Sequence, residues 1–173
     1  MTAHDTRPEA EDWRAAAVTG TTLRDTAKRA AGHGPRPAAL RRDLHRELVE
    51  WALGGQPNEA CGLLAGASPA AAGGAATRFL PLRNAAESPY RYLIDPQEQL
   101  AAMLELDDRD EVVWGIFHSH VASPAEPSVT DLGLAFYPDS LYLICSLAGD
   151  EPHVRAWTLA KGQATEVPLQ LVD

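Results

Sequence analysis

The chain has 173 residues, 45% of them hydrophobic, and a formal net charge of −9. That size and apolar content support one domain with a real core rather than two. No run of 18 or more apolar residues exists to span a membrane, and residues 40–173, with nine Lys or Arg against nineteen Asp or Glu, stand at −10, which disfavours a nucleic-acid partner.

The first 39 residues are rich in Ala, Arg, Gly and Pro and poor in large apolar side chains, ending in Gly32-His33-Gly34-Pro35-Arg36-Pro37. Such a segment cannot bury enough surface to offset its ordering entropy, so it is expected to be a flexible N-terminal extension with a short helix over 23–31 and one aromatic, Trp13, able to dock on the domain or a neighbouring subunit. Asp5, Glu9, Glu11 and Asp12, with no hydrophobic segment beside them, argue against a secretory signal and for a cytoplasmic protein. The domain proper is expected over 40–173. Apolar positions Leu40, Leu44, Leu48, Val49 and Trp51 or Ala52 recur at three and four and predict an amphipathic helix that Gly54-Gly55 stops.

Pro57-Asn58-Glu59-Ala60 then leads into a strand over 61–65, which puts Glu59 where a carboxylate can be aimed sideways at a neighbouring strand end. An Ala/Gly turn over 66–76 is followed by a strand over 77–82, a loop to Pro89 and another strand over 90–94. Pro96 opens a helix to about Leu106, with Leu100, Met103, Leu104 and Leu106 expected on its buried side. The acidic Asp107-Asp108-Arg109-Asp110 reads as a solvated turn. Cys61 and Cys145 each lie in an apolar run and are expected to be buried, reduced thiols rather than nucleophiles or disulfide partners.

The run from Val112 to Phe117 is apolar without alternation and β-rich, so it predicts an inner strand covered on both faces. His118 and His120 follow at its C-terminal end. Residues i and i+2 of a strand point to one side, so both imidazoles can converge on one ion, with Ser119 facing away. After Pro124 and Pro127 the chain restarts as a helix, predicted to continue through Leu132, Leu134 and Phe136 until Pro138, and Asp131 falls where a third ligand would sit. Two His and one carboxylate leave a fourth tetrahedral position for water, the arrangement of a catalytic rather than a structural zinc site. With 6 His, 7 Ser and 12 Asp in the chain, His-x-His, seven residues, Ser-x-x-Asp would arise in roughly one shuffled sequence in 2,000. Strands over 141–147 and 154–159 and a weaker edge strand over 163–171, broken by Pro168, complete an α+β order: a sheet flanked by helices.

Glu59, His118-Ser119-His120 and Ser128-Val129-Thr130-Asp131 together resemble the signature of the JAMM (MPN+) zinc metallopeptidases, with every position filled. Asn58 to Gly66, Asn84 to Pro89 and Asp95 to Leu100 resemble the small bacterial members, in particular those that remove cysteine from the C-terminus of a ubiquitin-like sulfur-carrier protein. The resemblance covers about residues 40–173. It implies the cytidine-deaminase-like α+β fold with a central mixed sheet, one Zn2+ on His118, His120 and Asp131, and Glu59 as general base and then acid. It also implies that Ser128 hydrogen-bonds the oxyanion, which is the role favoured here over a cap on the backbone at the helix start. The implied partner is a carrier ending in Gly-Gly, cut after that pair with release of cysteine. Alternatives are a deconjugase or precursor-processing peptidase for another ubiquitin-like protein, and a metal-free scaffold. The oligomeric state stays open, a homodimer included.

Overall fold

The computed structural model describes residues 35–173; the expected helix over 23–31 and Trp13 lie outside the described residues. β1 (Ala38–Arg41) runs directly into α1 (Arg42–Gly55), followed by β2 (Cys61–Gly66), β3 (Ala76–Leu82), α2 (Pro96–Asp108), β4 (Val112–His120), α3 (Val129–Gly133), β5 (Leu141–Ser146), β6 (His153–Ala160), β7 (Gln163–Val167) and β8 (Leu169–Val172). Six strands form one sheet in the order β3-β2-β4-β5-β6-β7, in which only β4 and β5 pair in parallel. β1 and β8 form a separate parallel pair. This is the expected mixed sheet with flanking helices.

Each face of the sheet carries its own core. α1 places Leu44, Leu48 and Ala52 on one buried stripe at a spacing of four, and these pack with Leu64, Trp114, Phe117, Leu143 and Cys145. On the other face Ala102 and Leu106 of α2 pack with Cys61, Leu63, Ala65, Ile116 and Tyr142. The β2–β4 register skips Trp114, running from Gly115↔Leu64 to Val113↔Ala65. That bulge puts Trp114 in the same cluster as Phe117 and leaves Ile116 to the opposite face. Cys61 and Cys145 are free and buried, as expected.

Several elements depart from the pattern-based expectation. Tyr90–Ile94 is not a strand; its one sheet-like contact is a bridge between Asn84 and Ile94. Part of its backbone is taken by a side chain instead, since Asn84 Nδ2 donates to Arg91 O and Asn84 Oδ1 accepts from Leu93 N–H, while Leu93 O accepts from Ala85 N–H. On α2, Leu100 and Leu104 are 62% and 59% exposed. Leu106 is buried as expected, and its i,i+4 partner in the buried row is Ala102, which hydrophobicity alone ranks below Leu100 and Leu104. α3 ends at Gly133 rather than at Pro138, leaving Leu134 and Phe136 exposed, because Tyr137 N–H is taken by Tyr142 Oη and the chain is turned back toward β5. Pro168 divides the expected last strand: β7 stays on the sheet while β8 leaves it for β1, whose Ala38 N–H bonds Pro168 O. Ala38 and Ala39, assigned to the extension above, belong to β1.

Asp95 starts α2. Its Oδ1 accepts from Gln97 N–H and Glu98 N–H, Pro96 sits at the first helical position, and Arg83 bonds Oδ2. The Glu98 N–H hydrogen bond leads, burial opposes, and Gln97 and Arg83 add to hold the carboxyl below its ordinary value. A depressed folded-state value means the stabilisation is present above the unfolded-state value near 4 and fades as pH falls through the folded one. Asp95→Ala is therefore expected to lower Tm by a few degrees at pH 7, with the gap to wild type closing below about pH 4 in calorimetric scans.

Candidate metal centre

β4 is hydrogen-bonded on both edges, to β2 and to parallel β5, and this fixes where its C-terminal end projects. His118 and His120 point to the α2 face, while Ser119 points to the other. There Ser119 Oγ accepts from Ala60 N–H at 2.8 Å and its own N–H donates to Ala60 O at 2.9 Å, which ties β4 to the residue after Glu59. Cys61 lies opposite His118 across the antiparallel pair, so Glu59, two residues earlier, comes level with His120. Glu59, His118, His120 and Asp131 are all buried.

The two imidazole Nε2 atoms are 3.2 Å apart; Asp131 Oδ1 is 3.3 Å from His118 Nε2, and Asp131 Oδ2 is 3.7 Å from His120 Nε2. Donors bound to one tetrahedral zinc at about 2.0 to 2.1 Å lie roughly 3.3 Å from one another. The three side chains therefore have the spacing and the chemistry to hold a single divalent cation, and they form the one His/Cys/Asp/Glu group of that kind among the described residues. His120 Nδ1 is 2.6 Å from Pro124 O. A carbonyl only accepts, so Nδ1 carries a proton, and in the neutral ring the Nε2 lone pair is left facing the cluster.

Asp131 is oriented by the start of α3. Ser128 N–H and Ser128 Oγ both donate to Asp131 Oδ2, at 2.7 and 2.6 Å, and Asp131 N–H donates back to Ser128 Oγ at 3.2 Å. This capping box engages Oδ2 and leaves Oδ1 toward His118. Of the two roles the sequence allowed for Ser128, the structure forms the cap.

Burial penalises every charge here, and local contacts decide which groups keep theirs. Burial raises Glu59 to about 7, with His120 opposing and Asp131 adding. Burial would also raise Asp131, but hydrogen bonds with His118, His120 and Ser128 outweigh it and hold this carboxyl well below the usual range. His118 is pushed down by burial, whereas His120 is drawn up because Asp131, Pro124 O and Glu59 together outweigh its burial. Surroundings that favour a proton among these groups also favour a divalent cation in its place.

Sequence reasoning gave no role to Tyr92, whose ring stacks on His118 at 4.4 Å and 20°. His118 Nδ1 is buried without a hydrogen-bond partner, so away from the cluster the ring is supported by the stacked phenol and not by a hydrogen bond on that nitrogen. A narrow cleft opens onto the cluster, walled by Glu59, Tyr90, Arg91, Tyr92, His120, Ser128, Thr130, Asp131 and Leu134. A much larger cavity of about 540 Å³ surrounds Trp114, Ala72 and Val167 and contains none of the candidate site residues. A cavity of similar size, about 550 Å³, reaches Glu59 from the side of Trp51 and Asn84.

The profile described as prokaryotic homologs of the JAB domain matches residues 41–160. The chain belongs to this family. It is 38% identical over 135 residues to a CysO-cysteine peptidase of Mycobacterium tuberculosis, covering 78% of this chain and 90% of that one. It is 39% identical over 101 residues to a desampylase of Haloferax volcanii, covering 58% and 70%. A solved protein of Desulfitobacterium hafniense superposes with a TM-score of 0.69 at 37% identity, covering 79% of this chain and 93% of that chain. These homologues bear out the expected family and, with it, the class of hydrolytic peptidase.

If stacking orients His118, Tyr92→Ala is expected to weaken zinc binding by about 10-fold in chelator competition, while Tyr92→Phe, which keeps the ring, stays near wild type. Equal zinc affinity for the Ala variant would show that Tyr92 does not hold the ligand.

Proposed function

We propose that this protein is a zinc-dependent hydrolase that cuts the amide bond after the C-terminal Gly-Gly of a small ubiquitin-like sulfur-carrier protein and releases cysteine. The observation that carries the reading is the buried His118–His120–Asp131 cluster with Glu59 on the wall of the same cleft, in a chain 38% identical to a CysO-cysteine peptidase. His118, His120 and Asp131 would hold the zinc, which supplies Lewis acidity and in three-ligand sites brings the pKa of water to about 7.

The chain's own residues move the protons. Glu59, placed near 7 by its burial, takes a proton from water as the oxygen adds to the scissile carbonyl. It returns that proton to the departing amine as the C–N bond breaks, leaving a Gly-Gly carboxylate on the carrier and free cysteine. Ser128 Oγ, now on Asp131 Oδ2, turns to the oxyanion of the tetrahedral species, while the Ser128 N–H keeps Asp131 in place. Losing one such donor costs about 10² to 10³ in rate. Ser128 is not a nucleophile, because both nearby imidazoles are committed to the cluster. The two free cysteines fit a reducing compartment, and the proposal places the reaction in the cytoplasm.

A second reading, removal of a ubiquitin-like protein from lysines, is favoured by the desampylase likeness and by a 34% identity over 123 residues to a probable TtuB-protein conjugate cleaving protease of Thermus thermophilus. The CysO-cysteine peptidase likeness spans more of this chain, 78% against 58% and 70%, and the first reading rests on it.

The test is to incubate the zinc-loaded protein with a carrier ending in Gly-Gly-Cys and to follow intact mass. Loss of one cysteine is expected; no loss, with a lysine isopeptide being cut, would replace the substrate and keep the class. Glu59→Ala is expected to retain zinc and lose about 10² to 10⁴ in rate, whereas His118→Ala loses both zinc and activity. Near-wild-type turnover by the Glu59 variant would remove its role as base.

A further inference from the structure

Asn84 ties the general-base candidate to a cation. Its Nδ2 donates to Glu59 O at 2.9 Å and to Arg91 O at 3.2 Å, and its Oδ1 accepts from Leu93 N–H and Ala86 N–H at 2.9 and 3.0 Å. One amide side chain thereby uses both donors and its acceptor to hold the 90–93 segment against the residue that carries the carboxylate. From the other side Tyr92 is stacked on His118. Arg91 lies between these two anchors and lines the cleft with Glu59, His120 and Asp131.

Among the residues lining that cleft, Arg91 is the one fixed positive charge, against the carboxylates of Glu59 and Asp131. Arg83, on the same loop, is taken by Asp95 and Glu87, whereas Arg91 makes no ion pair with a described residue. The sequence from residue 40 onward stands at −10, and a zinc ion held by His118, His120 and Asp131 would be engaged by water and the scissile carbonyl, so an anion entering beside them is met by a separate cation. A guanidinium presents a planar fork of donors matched to a carboxylate.

We infer that Arg91 forms a subsite for the free α-carboxylate of the residue that leaves, making the centre selective for a C-terminal amino acid over a lysine isopeptide. This rests on the substrate reading above and deepens it. In a chain ending Gly-Gly-Cys the α-carboxylate is one carbon from the scissile nitrogen, so it must enter the cleft beside Glu59. An isopeptide has no carboxylate there and gains nothing from the guanidinium. The Asn84 bridge holds the main chain of Arg91 against that of Glu59, which keeps the cation on the same side of the cleft as the proton carrier.

The test compares carriers ending in Gly-Gly-Cys as the free acid and as the C-terminal amide. With zinc-loaded wild type, amidation is expected to raise KM by about 10-fold with a smaller effect on kcat. Arg91→Ala is expected to raise KM for the acid by a similar factor and to leave the amide unmoved, so that the preference disappears; Arg91→Lys recovers part of it. Calorimetric binding to the Glu59→Gln protein should show the same acid-to-amide ratio without turnover. Equal KM for acid and amide in wild type overturns the inference and leaves the substrate reading intact, with no dependence on any variant. Equal losses on both carriers in Arg91→Ala also overturn it, assigning Arg91 to the carrier's body. Cleavage of neither carrier, with lysine isopeptides cut, removes the substrate reading and this subsite with it.

Discussion

The centre depends on the double pairing of β4. With β2 antiparallel on one edge and β5 parallel on the other, β4 has no freedom to slip, because a shift of one residue would exchange Ile116, His118 and His120 with Phe117 and Ser119 across the sheet. Such a slip would bring imidazoles into the core beneath α1 and an aromatic ring into the cleft. The apolar side chains on both faces therefore enforce the register that brings two histidines to one side. Ser119, bonded both ways to Ala60, locks the final step of that register where the strand reaches the site.

Around this fixed end the remaining groups are delivered by caps and side-chain bridges and not by further sheet. Asp131 is aimed by the box it makes with Ser128, in a helix too short to be stable from its own hydrogen bonds. Glu59 sits just before β2, with its carbonyl bound by Asn84 and its N–H bonded to Ser88 O. Trp51 of α1 donates to Cys61 O at 2.9 Å, steadying the start of β2 from the other face. Glu59 is thus tied by polar contacts of long sequence separation next to a strand end, and Asp131 by a local cap at a helix start.

Much of this was legible in the sequence, for identifiable reasons. Periodicity found α1 and the inner strand because burial there is one-sided or complete, and the i,i+2 rule placed His118 and His120 on one side. The segment over 90–94 was misassigned because its aromatic, alternating composition satisfies a strand pattern, while two of its backbone groups are taken by the Asn84 side chain in place of a strand, which no local pattern reveals. For the same reason Arg91 and Tyr92 carried no signal: their relevance comes from residues 26 to 32 positions away. The extent of α3 was overstated because Leu132, Leu134 and Phe136 look like a helical face, yet a tertiary contact from Tyr142 ends the helix early. The departure of β8 from the main sheet is a pairing with β1, and single-strand composition is silent about partners.

The two carboxyl groups of the cleft show how one environment can yield opposite behaviour. Glu59 and Asp131 are both buried, so desolvation alone would raise both. Asp131 receives two hydrogen bonds from Ser128 and faces both imidazoles, and those contacts favour its anion by more than burial opposes it. Glu59 has its backbone bound and its carboxyl left on the cleft wall, so burial prevails and its proton affinity rises toward neutrality. A carboxylate that stays ionised suits a cation's ligand, and one that exchanges its proton near pH 7 suits an acid–base role. The separation of the two follows chiefly from the imidazoles that Asp131 faces, with the Ser128 cap adding to them, so the serine contributes to the chemistry through Asp131 even before it meets any substrate.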